Sequence, residues 1–182
     1  MIYNKELNII ETERLKLRLV TPNDFPKVVE YCSDPELSKY MIYLPYPYTL
    51  EDAISWYNNQ QESLKKDTMY TYGIELKETG EFIGVISLSN NQRNNNGEIG
   101  YWLGKKYWNK GYMSEATKAI IEFAFQIKNM HKVYARCFSE NIASAKVMQK
   151  NGLTFEGSLK DHIYKDGKYH DLLIYGLIND NN

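Results

Sequence analysis

A chain of 182 residues, 43% hydrophobic, 25% charged and carrying a net −1, is long enough for one domain with a sizeable core and too short for two ordinary ones, so residues 1–182 are expected to form a single domain. No apolar run approaches the ~18 residues needed to span a bilayer, and the opening "MIYNKELNIIETERLKL" lacks the apolar stretch and small-residue cleavage site of a signal peptide, which makes a cytoplasmic protein without a membrane partner the expectation. Cys32 and Cys137, with His131, His162 and His170, form neither a disulfide framework nor a metal-ligand spacing, so no metal is expected. The abundance of Asn, Lys, Ile and Tyr is what an AT-rich bacterial genome produces.

In chain order, "RLKLRLV" alternates and reads as a strand. "TPNDFPKVVEYCSD" opens with a Thr cap and a proline at the first helical position, so a helix follows. The Tyr- and Pro-rich stretch from Tyr40 is broken by Pro45 and Pro47, and Thr49 then caps a second helix running to about Lys66. "YTYGIEL" and "EFIGVISLS" are strands joined by a turn at Thr79-Gly80. "NNQRNNNG" is a loop, and "GEIGYWL" is another strand. In "KKYWNKGYMSEATKAIIEFAF" the apolar residues Ala116, Ile120, Phe123 and Ile127 recur at helical spacing. "KVYARCF" is a strand. "NIASAKVMQKNG" is a helix with Asn141 as cap and Gly152 as stop, and a closing hairpin turns at "KDGK". The order βααβββαβαββ implies a mixed α/β or α+β domain of about seven strands and four helices, with a parallel crossover from Gly97 to Phe138.

Charge is unevenly spread. Between Gly104 and Gly152 nine basic residues face three acidic ones, a net of +6 that leaves −7 for the rest. Lys105, Lys106 and Lys110 crowd around Gly111, just ahead of a helix start whose unpaired N–H groups suit an anion. Such a field favours a compact polyanion, although a solvated lysine face gives the same count.

The element order and two motifs resemble the GCN5-related N-acetyltransferases, and within them the branch that acetylates the N-termini of ribosomal proteins. "GEIGYWL" followed by "KYWNKGYMSEA" is similar to that family's acetyl-CoA pyrophosphate loop, and "ENIASAKVMQKNGLTFEG" to the branch's Asn-x-x-Ser-x-x-Val-Met segment. The resemblance covers roughly Glu11 to Ile178. It implies a mostly antiparallel twisted sheet, acetyl-CoA as co-substrate and an amine acceptor. It further implies that the backbone of Tyr101, Trp102 and Leu103 binds the pantetheine arm and that the loop Lys110, Gly111, Tyr112, Met113 and Ser114 turns its amides to the pyrophosphate. Asn141 would contact pantetheine, with Lys146 and Lys150 among the lysines meeting phosphate. In the loop signature only Gly111 matches; Trp108 and Met113 depart from it, and Met113 brings a longer side chain toward the phosphates.

Acetyl transfer needs a neutral amine, a polarised thioester and a route for protons. Deprotonating a lysine at pH 7 costs about 4.6 kcal/mol and an α-amine about 1, so an α-amine asks less of the enzyme. Glu98, on the strand before the loop, is the candidate base; an ordinary strand-edge glutamate is the plain alternative. Where many relatives carry a general-acid tyrosine stands Met148, and Ser144 is the nearest hydroxyl on that helix. Tyr40, Tyr43 and Tyr46, with His162, are the candidate acceptor-binding side chains; aromatic packing and a structural histidine are the alternatives. Aromatics with lysines can also bind single strands, but the two segments lie far apart, and no nucleic-acid partner is expected. The competing readings are an N-acetyltransferase acting on a protein N-terminus, one acting on an aminoglycoside or polyamine, and a non-catalytic acetyl-CoA-binding protein. The oligomeric state stays open, a homodimer included.

Overall fold

The β-branched and aromatic alternation of the strands closes into one sheet in the computed structural model, which describes residues 1–180. The strands are β1 (Ile2–Asn4), β2 (Ile9–Glu11), β3 (Leu15–Leu19), β4 (Met69–Leu76), β5 (Phe82–Ser89), β6 (Asn96–Leu103), β7 (Lys132–Phe138), β8 (Thr154–Lys165) and β9 (Lys168–Ile178). They lie in the order β1-β2-β3-β4-β5-β6-β7-β9-β8, and every pairing is antiparallel except β6 with β7. The helices are α1 (Phe25–Cys32), α2 (Pro35–Ser38), α3 (Leu50–Lys65), α4 (Tyr112–Glu122) and α5 (Ile142–Lys150). This is a single α+β domain with a nine-stranded open sheet and five helices. The expected seven strands are all present. The two added strands, β1 and β2, and the added helix α2 have three, three and four residues, too short to show a period.

Local chemistry explains the boundaries. At the short 3₁₀ turn Pro22–Asp24 that leads into α1, the Asp24 carboxylate accepts from the Thr21 backbone N–H at 2.8 Å, as half of a capping box. Thr49 and Asp52 form the full reciprocal box at α3. The last hairpin turns through Asp166 and Gly167, both at positive φ (51° and 82°), as a two-residue turn matched to strand twist requires.

The expectation that α4 keeps its period through Ile127 is corrected. The helix ends at Glu122, and Phe123–Ile127 winds as a π turn, which shifts the phase and leaves Ile127 exposed. Phe123 gains from this: it is fully buried and meets Tyr3, Tyr70 and Tyr72 edge to face. Tyr70 and Tyr72 thus face α4, whereas Trp102 meets Tyr31 of α1 on the opposite face of the sheet.

Candidate active site

The sheet opens where its one parallel pairing stops. Strands β6 and β7 are joined only through Asn96, Gly97 and Glu98 against Lys132, Val133 and Tyr134. Beyond that point Ile99–Leu103 pair with β5 alone, and Ala135–Phe138 with β9 alone. The two inner backbone edges therefore diverge without a common ladder, and a cavity of about 690 Å³ lies along them. Its wall includes Glu98, Gly100, Tyr101, Trp102 and Leu103 from β6, Arg136 and Cys137 from β7, and Asn141, Ser144, Lys146 and Lys150 from the α5 segment.

Alternation sends successive side chains to opposite faces. On the α1–α3 face, at the vertex of the opening, Arg136 donates two hydrogen bonds to Glu98, of 2.7 and 3.0 Å. Both side chains are about three-quarters buried. The bond to Glu98 raises the Arg136 pKa, so this guanidinium stays charged. Burial, and the Glu98 charge after it, raises the phenol of Tyr134. On the α4–α5 face the hydroxyls of Tyr101 and Ser144 lie 2.9 Å apart. Burial raises the Tyr101 phenol, so it is a neutral donor at physiological pH. The backbone N–H of Ser144 donates to Asn141 Oδ1 at 3.1 Å, so Asn141 caps α5 and also lines the cavity. Burial pushes the Cys137 thiol up to about 11, opposed by a hydrogen bond with Ser144, so it is not a ready nucleophile at neutral pH.

The start of α4 forms the other end of the cavity. Gly111 has φ 81° and ψ 0°, a left-handed conformation that costs other residues about 1–2 kcal/mol. No side chain caps this helix, and Glu115 N is the first amide to find a carbonyl of the turn, that of Gly111, at 3.1 Å. The preceding amides, Tyr112, Met113 and Ser114, are the orphan donors of a helix start. Arg14, from the far side of the sheet, shapes this loop. Its Nη1 donates to the Lys110 carbonyl at 3.1 Å, its guanidinium lies 4.6 Å from the centre of the Tyr112 ring, and its Nε donates to Glu115 at 2.6 Å. Burial raises the Glu115 carboxyl, but bonds from Thr12 and Arg14 outweigh it and hold the pKa below the ordinary value.

Most of the residues singled out from sequence meet at this cavity: Glu98, Tyr101, Trp102, Leu103, Gly111, Tyr112, Met113, Ser114, Asn141, Ser144, Lys146, Lys150, Tyr40 and Tyr43 all line it. Four do not. Tyr46 is 58% exposed and lies off the cavity, while Tyr48, Met41 and Leu44 from the same stretch line it. His162 is exposed on β8, the outermost strand, whose neighbour β9 separates it from β7. Lys110 does not line the cavity; its Nζ lies 5.8 Å from the Tyr107 ring centre, and its carbonyl accepts from Arg14. Of the other lysines expected at the phosphates, Lys106 pairs with Glu81 at 2.7 Å, and Lys105 does not line the cavity. The positive charge comes instead from Arg136, Lys146 and Lys150.

The two departures from the loop signature also find a place. Met113 is 8% exposed and packs into the core at the cavity wall, so its bulk is turned inward. Trp108 donates its indole N–H to the Leu103 carbonyl at 2.8 Å, closing the loop onto the end of β6. Sequence reasoning missed Arg14 and Arg136. Arg136 sits in "KVYARCF" two places from Tyr134, a spacing that puts it on the face of Glu98 once the parallel register is known.

The cavity can hold an extended ligand: an anionic end at the orphan amides of α4, a chain along the unpaired strand edges and a reactive end between the two hydroxyl- and carboxylate-bearing faces. Among the described residues no group of three metal-ligating side chains occurs, and no helix is long and apolar enough to cross a membrane. Residues 14–154 match the acetyltransferase (GNAT) domain family. The chain is similar to the N-acetyltransferases p20 of Bacillus licheniformis (31% identity over 94% of this chain and 97% of the relative) and YnaD of Bacillus subtilis (35% over 93% and 96%). Its fold is similar to that of the ribosomal-protein-S5-alanine acetyltransferase of Vibrio fischeri, with a TM-score of 0.84, 26% identity and coverage of 95% and 97% of the two chains. GNAT acetyltransferases use acetyl-CoA, and the splayed strands, the uncapped helix start and the cationic wall are a donor set that fits it. With family, fold and cavity in agreement, this chain belongs to the GNAT family and is an N-acetyltransferase.

Proposed function

We propose that the protein is a cytoplasmic enzyme that moves the acetyl group of acetyl-CoA to the α-amine of a protein or peptide N-terminus, by direct attack in a ternary complex. The observation that carries this reading is the pairing of faces at the opening. Glu98 stands on one side of the strand gap, and the Tyr101–Ser144 hydroxyl pair stands on the other. Acetyl-CoA supplies a thioester whose C–S bond breaks as the new C–N bond forms. Glu98, directly or through one water, takes the proton that the amine loses; Arg136 keeps that carboxylate in place. Ser144, backed by the Tyr101 hydroxyl, returns a proton to the departing sulfur, the role for which Met148 has no donor. The orphan amides of Tyr112, Met113 and Ser114 hold the pyrophosphate, and Lys146 and Lys150 meet the remaining phosphate charge. A raised thiol pKa at Cys137 supports direct attack over an acetyl-cysteine route.

Charge supports a peptide α-amine over a polycationic acceptor. Glu98 is the one carboxylate lining the cavity among the described residues, and it is already bound by Arg136; two lysines add further positive charge. An aminoglycoside or polyamine would find no free anion there. The similarity to a ribosomal-protein acetyltransferase supports the same choice. The test follows CoA thiol release with peptides, polyamines and aminoglycosides, alongside the melting temperature with acetyl-CoA. Peptides are expected to turn over and polyamines not. Glu98→Gln is expected to lower turnover by roughly 10²- to 10⁴-fold with little change in cofactor affinity, the loss shrinking toward about pH 9 where an α-amine is already neutral. No thermal shift at millimolar acetyl-CoA would sink the reading. Tight binding without turnover of any amine would make the protein an acetyl-CoA-binding module.

A further inference from the structure

A second cavity, of about 210 Å³, lies on the α3 face of the sheet beside the main one. Met41, Trp56 and the Gly100–Trp102 stretch of β6 border both, so the two spaces adjoin. The second cavity is further lined by Gln60 of α3, by Met69 and Thr71 of β4, and by Val85 and Ser87 of β5. At the junction β6 carries Gly100 on the same face as Glu98, so β6 itself places no side chain between the candidate base and this space.

We infer that this second cavity is the subsite for the side chain of the acceptor's first residue, and that it selects an uncharged, apolar side chain of about leucine or methionine size. The inference rests on the α-amine reading above and names its substrate class more closely. Three observations carry it. First, position: an amine at Glu98 has its α-carbon near the junction, where the missing side chain of Gly100 leaves an opening into the second cavity. Second, charge: no Asp, Glu, Lys, Arg or His lines this space among the described residues, so a Lys, Asp or Glu side chain would find no charged partner there. Third, volume and surface: 210 Å³ is about seven water volumes. Alanine or serine would leave most of that filled with water, whereas four side-chain atoms or more displace it. The apolar walls include two indoles, two thioethers and Val85, and the thioethers adapt to an apolar guest of varied shape. The two hydroxyls are already engaged with the protein: that of Thr71 donates to Gln60 Oε1, and that of Ser87 to the Gly100 carbonyl at 3.3 Å.

The experiment measures kcat/KM with acetyl-CoA and a set of short peptides that differ only in the first residue: Leu, Met, Ala, Ser, Asp and Lys. Leu and Met peptides are expected to exceed Ala and Ser by at least about tenfold, since a methylene in an apolar pocket is worth tens-fold or more. Asp and Lys peptides are expected to be slower still. Filling the cavity should erase the preference: Ser87→Phe, and from the other wall Met69→Trp, are each expected to lower the Leu-to-Ala ratio at least tenfold. Two variants on different strands guard against one failing to fold, which the melting temperature reports. Turnover of all six peptides at similar rates, or a Leu-to-Ala ratio unmoved in a folded filling variant, overturns the subsite. Turnover of none of the peptides, with another amine accepted, overturns the α-amine reading on which it rests.

Discussion

At Gly111 a single backbone angle holds the candidate phosphate loop in shape. A Cβ there would meet little, the nearest atom being Arg14 Nη2 at 3.4 Å, so space is not the constraint; the φ of 81° is. Gly111→Val is expected to weaken acetyl-CoA binding by well over tenfold, by calorimetric titration, while the circular dichroism of the fold persists. Normal binding would make the loop a mere connector. Tyr101 offers a second test. Its hydroxyl reaches Ser144 at 2.9 Å, and its phenol is kept neutral by burial. Tyr101→Phe is expected to lower kcat about tenfold. Ser144→Ala should lower it at least as much, and the double variant no further than Ser144→Ala alone, because the two act as a unit. Additive losses would separate them. Glu98 shows the limit of reasoning from a single position. From sequence it is a candidate base or a plain strand-edge glutamate; its partner Arg136, two places beyond its register partner Tyr134, emerges only from the parallel pairing.

Among the elements, α4 and the junction of β6 with β7 decide the site. The start of α4 is tied to the far edge of the sheet by Arg14 and Glu115, with Thr12 also donating to Glu115 at 2.6 Å. This clamp does not line the cavity, so it acts on the cofactor through loop shape. Arg14→Ala is expected to raise the Kd for acetyl-CoA several-fold with kcat at saturation little changed. A fall in kcat with unchanged Kd would count against the clamp. The helix itself was legible from its period, as were the Asn141 cap and the Gly152 stop, since each is local chemistry. Its end was not, because the π turn at Phe123 answers to three tyrosines on β1 and β4.

For the whole molecule, buried ion pairs set the response to acid. Arg18 binds Asp24 through two bonds of 2.8 Å and Glu75 through one of 2.7 Å, on the face covered by the first helices. Burial raises the Asp24 carboxyl, but the bonds from Arg18 and Thr21 outweigh this, and its pKa lies below the ordinary value; Glu115 behaves alike. A carboxyl whose pKa is lower folded than unfolded stabilises the fold above its unfolded pKa, about 4. That stability is lost as pH falls through the folded value. The melting temperature is therefore expected to owe nothing to these two groups' titration between pH 5 and 7 and to drop below about pH 4. Asp24→Asn should lower the neutral-pH melting temperature and flatten the acid limb. An unchanged acid limb would assign the loss to other carboxyls.

The order of the longer strands and helices, the caps, the single crossover and the glycine at the start of α4 were legible along the chain, because these depend on periodicity and on residues within a turn or two. The sequence also pointed to Glu98, Tyr101, Asn141 and Ser144, since two short motifs carried them together. Which charges line the cavity was legible in part: Lys146 and Lys150 were expected there, whereas Arg136 was not. Lysine counts along the chain placed Lys105, Lys106 and Lys110 at the phosphates, yet Lys106 finds Glu81 in the turn before β5, and Arg14 reaches Glu115 from about a hundred positions away. The direction of a long, flexible cation is set by whichever anion the fold brings near, and that information is non-local. For the same reason Tyr46 and His162 fall outside the site while Arg136 and Met41 enter it. Strand order, the point where β6 leaves β7 and the packing of α3 over the sheet place those side chains, and no window of sequence contains all three.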